Sequence, residues 1–243
     1  MSRRIGAALA VVTAVLASAC ALFSQRPTTH RYLLPAPKAA VSIPADFNVR
    51  VRSVSAIGPF EDTGIAYQTS AYQLDSYQYH RWVAPPTEMV ADALNAIIKP
   101  RADAAAGAQG QELMMLDARV NAFQQVNYAG RRGGLVTIEF CLSSDKPLAP
   151  CGWRRTLSRE SAAASDTPVA AVEALGAAYD RVLTEFAADL TQYLAGLKVR
   201  RAAAFIPVSE VCRGMTSPVA ADTSAASNWE RSSRDLRRQI ACG

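Results

Sequence analysis

Leu113-Met114-Met115-Leu116-Asp117-Ala118-Arg119-Val120-Asn121-Ala122, continuing to Tyr128, is the stretch on which the fold turns. Leu116, Ala118, Val120 and Ala122 alternate with Asp117, Arg119 and Asn121. Period-two alternation puts one set of side chains on each face of a strand. The length predicts one long strand over 113–128. Gly130-Arg131-Arg132-Gly133-Gly134 then reads as a turn. Leu135 to Leu142 alternates again, with Val136, Ile138, Phe140 and Leu142 set against Thr137, Glu139 and Cys141. Residues 143–150 carry Pro147 and Pro150 and form a second turn, and Trp153 to Glu160 gives a further strand. Three strands joined by two turns predict an antiparallel meander.

Working outward, two helices flank this meander. Upstream, Pro86 suits the first turn of a helix running to Ile98. Met89, Val90, Leu94, Ile97 and Ile98 share its apolar face. Downstream, Thr167-Pro168 opens the strongest helical pattern. Val172, Leu175, Tyr179, Val182, Phe186, Leu190, Tyr193 and Leu197 recur at steps of three or four. Asp180, Arg181, Glu185 and Asp189 lie off that stripe, and Lys198, Arg200 and Arg201 complement the dipole at its end. Before the first helix, Asn48–Val54, Ile65–Gln68 and Tyr72–Tyr79 read as strands. The expected fold class is α+β: an antiparallel sheet with two helices packed on it.

The N-terminus has a different character. Arg3 and Arg4 precede the uncharged run Ile5 to Ala19, which ends in Ala17-Ser18-Ala19-Cys20. A positive start, a short apolar run and small residues before a cut describe a signal peptide. The run is shorter than the roughly 20 residues of a membrane-spanning helix. A Cys directly after small residues resembles the lipobox of bacterial lipoproteins, with Leu16 one place earlier than that pattern prefers. The resemblance implies cleavage before Cys20 and acylation of its thiol. Residues 1–19 are thus expected as signal peptide and 20–45 as a lipidated, Pro-rich tether containing a short extended piece, Tyr32-Leu33-Leu34. The body is expected over 46–201 and a partly flexible C-terminal tail over 202–243.

Four cysteines remain after Cys20: Cys141, Cys151, Cys212 and Cys242. An even number in an exported chain suggests two disulfides. Four cysteines allow three pairings, and the spacing favours Cys141–Cys151 and Cys212–Cys242. A metal site would want close Cys pairs or His partners, and none occur, so no metal or cofactor is expected. The chain carries half apolar residues, 19% charged residues and a net charge of +5. Its basic residues form no stripe interleaved with aromatics, which argues against nucleic acid. There are two histidines, His30 in the tether and His80 beside Trp82, and no catalytic motif such as HExxH or GxSxG. No enzymatic activity is expected.

The most distinctive segment is aromatic. Tyr67 is followed by Tyr72, then Tyr77-Gln78-Tyr79-His80-Arg81-Trp82, then Pro85-Pro86. With Tyr32-Leu33-Leu34 before it and the two helices after it, this order resembles the ABC-type transport auxiliary lipoproteins, the group that includes the paraquat-inducible protein C type. The resemblance covers roughly residues 30–200. It implies a periplasmic docking lipoprotein that works with an ATPase, a permease and an MCE-domain protein in lipid transport. Ala21, rather than Asp, after the Cys makes the outer membrane the default location. Tyr72, Tyr77, Tyr79, Arg81 and Trp82 are the candidate partner-binding residues, since aromatics and Arg anchor interfaces. The alternative for each Tyr is packing on the sheet, and for Arg81 and Trp82 a structural stack of guanidinium on indole.

Overall fold

The computed structural model describes residues 27–99, 111–146 and 149–204. Cys20, Cys212 and Cys242 therefore lie outside the described residues, as does the expected tail beyond Ala204. Among the described residues, seven strands and two long helices appear in chain order. Strand β1 is His30–Tyr32, β2 Phe47–Ala56, β3 Gly64–Ser70 and β4 Gln73–Trp82. Helix α1 is Pro86–Ile97. Strand β5 is Glu112–Tyr128, β6 Arg131–Ser144 and β7 Trp153–Ala162, and helix α2 is Pro168–Ala204. A 3-10 turn, Gly58–Glu61, separates β2 from β3.

The α+β class holds, but the sheet is mixed rather than antiparallel. Its order is β1-β4-β3-β5-β6-β7, with β2 also on β5. The meander β5-β6-β7 and the hairpin β3-β4 are antiparallel. Three pairings are parallel: β1 with β4, β2 with β5, and β3 with β5. One edge of the long β5 takes β2 along its first half and β3 along its second. Parallel neighbours need a long crossover, and α1 lies on the one from β2 to β5.

Two irregularities reset the strand faces. The pairing of β2 with β5 slips between Val51 and Ser53, so Arg52 is skipped. The pairing of β5 with β6 slips between Val120 and Ala122, so Asn121 is skipped. One extra residue turns every later side chain to the other face. Leu116, Ala118 and Val120 are buried as the alternation predicts, but beyond the slip Phe123, not Ala122, enters the core. The five-residue glycine turn is also shorter than expected. Only Ala129 and Gly130 connect β5 to β6, both at positive φ, and Gly133 and Gly134 lie within β6.

A single core joins the sheet to both helices. Phe140 stacks on Phe186 with centroids 4.2 Å apart, and Phe123 lies edge-on to both Trp82 and Tyr179. The Tyr179 hydroxyl donates to the Met89 carbonyl at 3.2 Å and so links α2 to α1. Its phenol is pushed well above its ordinary value, chiefly by burial. Leu175, Tyr179, Val182, Phe186 and Leu190 of the expected stripe are buried. The off-stripe acids reach the sheet: Glu185 pairs with Arg159, and Asp189 with Arg155 at 3.3 Å. The Arg181 guanidinium donates to Ser161 at 3.0 Å.

The Pro-rich stretch is not a free tether throughout. From His30 it is fastened to the body. Strand β1 joins the sheet, Leu34 is buried, the Val41 amide donates to Ile97, and the Ser42 amide donates to Thr191. Cys141 and Cys151 are joined by a disulfide across the β6-β7 connection, Cα atoms 5.6 Å apart.

Candidate docking surface

Strand β4 carries the aromatic segment and lies near one margin of the sheet. Strand β3 covers one of its edges. On the other, β1 pairs only with its last three residues, His30 with His80, Arg31 with Arg81 and Tyr32 with Trp82. Among the described residues no strand pairs with the outer edge of Gln73–Tyr79. Most of that run is exposed. An edge of this kind offers unpaired amides and carbonyls to an added strand.

The five aromatic and Arg candidates do not form one patch. Tyr72 sits at the tip of the β3-β4 hairpin and is 100% exposed. Tyr79 is 37% exposed, and Leu74 on the same strand 40%. Tyr77 is half-buried: its hydroxyl donates to Gln125 Oε1 at 2.7 Å, and its ring lies 4.7 Å from that of Tyr67. Burial, with a smaller push from Tyr67, raises its phenol. Trp82 is 0% exposed. That position corrects its assignment as a partner-binding residue, because a partner would have to open the core to touch it. Arg81 does not stack on the Trp82 indole: it donates to Thr63 Oγ1 at 3.2 Å. The guanidinium–ring contacts among the described residues are Arg131 over Tyr128, Arg155 over Trp153 and Arg201 over Phe47.

A bulge explains how these side chains are sorted. Between the pairs Ala66–Ser76 and Gly64–Arg81, β3 advances two residues and β4 five. In a regular strand residues 77 and 80 would face opposite ways. The extra residues bring them together, and the Tyr77 and His80 rings meet edge-on at 5.6 Å. Strand β1 completes the cluster. His30 stacks on His80 at 5.1 Å, and the Tyr32 hydroxyl is hydrogen-bonded to His80 Nδ1 at 2.8 Å. Burial, then the nearby His30, holds the His80 imidazole below its ordinary value, so it favours the neutral form. Sequence reading placed His30 and His80 in separate segments. Only the parallel register of β1 on β4 brings them together.

Among the described residues no three His, Cys, Asp or Glu side chains converge to hold a metal ion. A mostly apolar cavity of about 250 Å3 lies between residues 33–37 and α1, lined by Leu33, Pro35, Met89, Ala93 and Tyr179 among others. No described helix is long and apolar enough to cross a membrane.

Comparison with known proteins agrees with this architecture. A solved structure of a Xanthomonas campestris protein superposes with a TM-score of 0.52 at 19% identity, covering 70% of this chain and 99% of that one. That likeness shows the fold alone. A structure of an uncharacterised protein gives a TM-score of 0.47 at 16% identity over 69% of this chain and 99% of its own. A chain from Caulobacter crescentus gives 0.28 at 21% identity over 45% and 83%. No curated protein matches the chain. The family of ABC-type transport auxiliary lipoprotein components matches residues 32–190, from β1 into the middle of α2. The chain belongs to the ABC-type transport auxiliary lipoprotein family.

Proposed function

We propose that this protein is a non-enzymatic docking lipoprotein of an MCE-associated lipid-transport system, anchored through Cys20 to the periplasmic face of the outer membrane. Its partners are the MCE-domain protein and, through it, the permease and ATPase. The observation that carries the reading is the open edge of β4, where Tyr79 and Leu74 are exposed beside unpaired backbone. Main-chain hydrogen bonds to an added strand supply affinity, and the side chains beside them supply selectivity. Tyr is suited to the second task, because it buries a large area with few rotors. Tyr77 and Arg81 support this edge from behind through Gln125 and Thr63.

The test is capture of the transport components by the membrane-anchored protein. Tyr79→Ala and Leu74→Ala should weaken capture while the melting temperature holds, since exposed substitutions usually change stability by less than about 0.5 kcal/mol. Capture of a different envelope or peptidoglycan-bound partner through the same edge would replace the transport assignment with that of a general envelope lipoprotein. Unchanged capture by both variants would reject the edge as the docking site.

A further inference from the structure

The directions of the strands assign a role to one end of the molecule. Strand β3 runs toward the hairpin that carries Tyr72, and β5 lies parallel to it, with Gln68 opposite Val126. The β5-β6 turn at Ala129–Gly130 is therefore at the same end as Tyr72. Arg131 and Arg132 follow that turn, paired with Glu160 and Asp166. Strand β1 is parallel to β4, and β4 starts at the hairpin tip. The chain that precedes His30 consequently leaves the sheet toward the same end.

Chain length then sets a limit. Ten residues separate Cys20 from His30, and ten residues fully extended span at most about 33–36 Å. From His80, opposite His30, back to Gln73 at the tip, the sheet covers about 13–17 Å, because the bulge lets β4 spend five residues where β3 advances two. A chain held in the bilayer at Cys20 and in the sheet at His30 can leave at most about 16–23 Å between membrane and tip, with the hairpin end facing the membrane. At that end stands Tyr72, its ring fully exposed. Tyr is enriched at the headgroup level, where its ring is buried and its hydroxyl stays wet.

We propose that the hairpin end of the sheet lies on the bilayer that holds the anchor, with the Tyr72 ring at the headgroup level. The proposal rests on the reading of Cys20 as the lipidated residue. It is distinct from the docking edge, which runs along the flank of β4 rather than across its tip. With the hairpin end on the bilayer, the far end of the sheet points into the periplasm. There Arg201 of α2 pairs with Glu112 at the start of β5.

The experiment uses the full lipidated protein in vesicles of phosphatidylethanolamine and phosphatidylglycerol, with and without brominated acyl chains. Two variants are compared with the unchanged protein, Tyr72→Trp at the tip and Val83→Trp, exposed just past the other end of β4. Native Trp82 and Trp153 are buried, Trp229 lies outside the described residues, and subtracting the unchanged protein removes the signal of all three. The expected result is a blue-shifted emission for Tyr72→Trp that brominated lipid quenches, and no quenching for Val83→Trp. Vesicle flotation is scored in parallel. Protein that floats while Tyr72→Trp is unquenched overturns the proposal, including the case in which another protein covers the tip. Quenching of both variants overturns it too, since the molecule would then lie flat. Protein that fails to float overturns the anchoring itself, and this apposition with it.

Discussion

Trp82 and Tyr79 stand three residues apart on one strand, yet the first is sealed in the core and the second meets solvent. Strand alternation by itself sets residues three apart on opposite faces. Trp82→Ala should cost about 3–5 kcal/mol, the usual range for truncating a buried aromatic. Tyr72→Ala should stay within about 0.5 kcal/mol. Urea unfolding of both checks the contrast, and equal midpoints would contradict the assignment of core and tip. The Trp82 indole N–H is also a buried donor without a partner among the described residues. His80 makes a second residue-scale prediction. Its folded imidazole binds a proton less readily than the unfolded one, because of burial and then His30. The unfolded state therefore takes up the proton first as pH falls below about 6.5. Stability should be complete above that value, decline as pH drops toward the folded value, and level off below it. The groups facing this ring are His30, Tyr32 and Tyr77, with Arg31 and Arg81 flanking the strand pair. Denaturation midpoints between pH 7.5 and 5.5 should fall less for His80→Gln than for the unchanged protein. An equal fall would remove His80 as the cause.

Among the elements, α2 sits so close to β6 that the strand has no side chain where they cross. A Cβ added at Gly134 would lie 2.4 Å from the Leu175 amide nitrogen and 2.7 Å from the Ala174 carbonyl carbon. Backbone cannot yield as a flexible side chain can. Gly134→Ala should force the helix outward and cost about 1–3 kcal/mol, the range for overpacking. A thermal melt reads this directly, and an unchanged midpoint would mean the helix is not fixed there. Sequence reading placed Gly134 in a turn, because a run of glycines looks like punctuation. Its actual function is close approach, which only the partner helix reveals. The same distinction separates what was legible from what was not. Strands β5, β6 and β7 and both helices were readable because period and local turns encode them. The pairing of Cys141 with Cys151 follows from the same hairpin. The parallel pairings of β1, β2 and β3 were hidden, because their partners lie far away in sequence. The skipped residues Arg52 and Asn121 carry no compositional mark, so the face assigned to Ala122 belongs instead to Phe123. Within the candidate surface, composition marks Tyr72, Tyr77, Tyr79, Arg81 and Trp82 together and does not sort the exposed from the packed. The burial of Trp82 and the meeting of His30 with His80 depend on tertiary register.

At the scale of the whole molecule, the strand directions give the protein two unlike ends. The chain enters from the hairpin end, and α2 runs the full depth of the sheet to finish at the opposite end, where Arg201 meets Glu112 and Lys198 meets Asp46. On the proposed lipidation of Cys20, the 37-residue helix is directed away from the anchor. Attachment and folding should then be separable. Leu34 is the first buried apolar residue of the core along the described chain, fourteen positions beyond Cys20. Substituting Cys20, the proposed anchor, is therefore expected to leave the described core intact. One acyl chain holds a protein only marginally, whereas two or more hold it stably, at about 0.8 kcal/mol per buried CH2. Intact mass of the membrane-extracted protein should show cleavage after Ala19 and the added mass of the acyl chains. Cys20→Ala should move the protein to the soluble fraction with its melting temperature unchanged. An unmodified N-terminus at another residue would refute lipidation, and a Cys20→Ala variant that is soluble but melts early would refute the independence of anchor and fold.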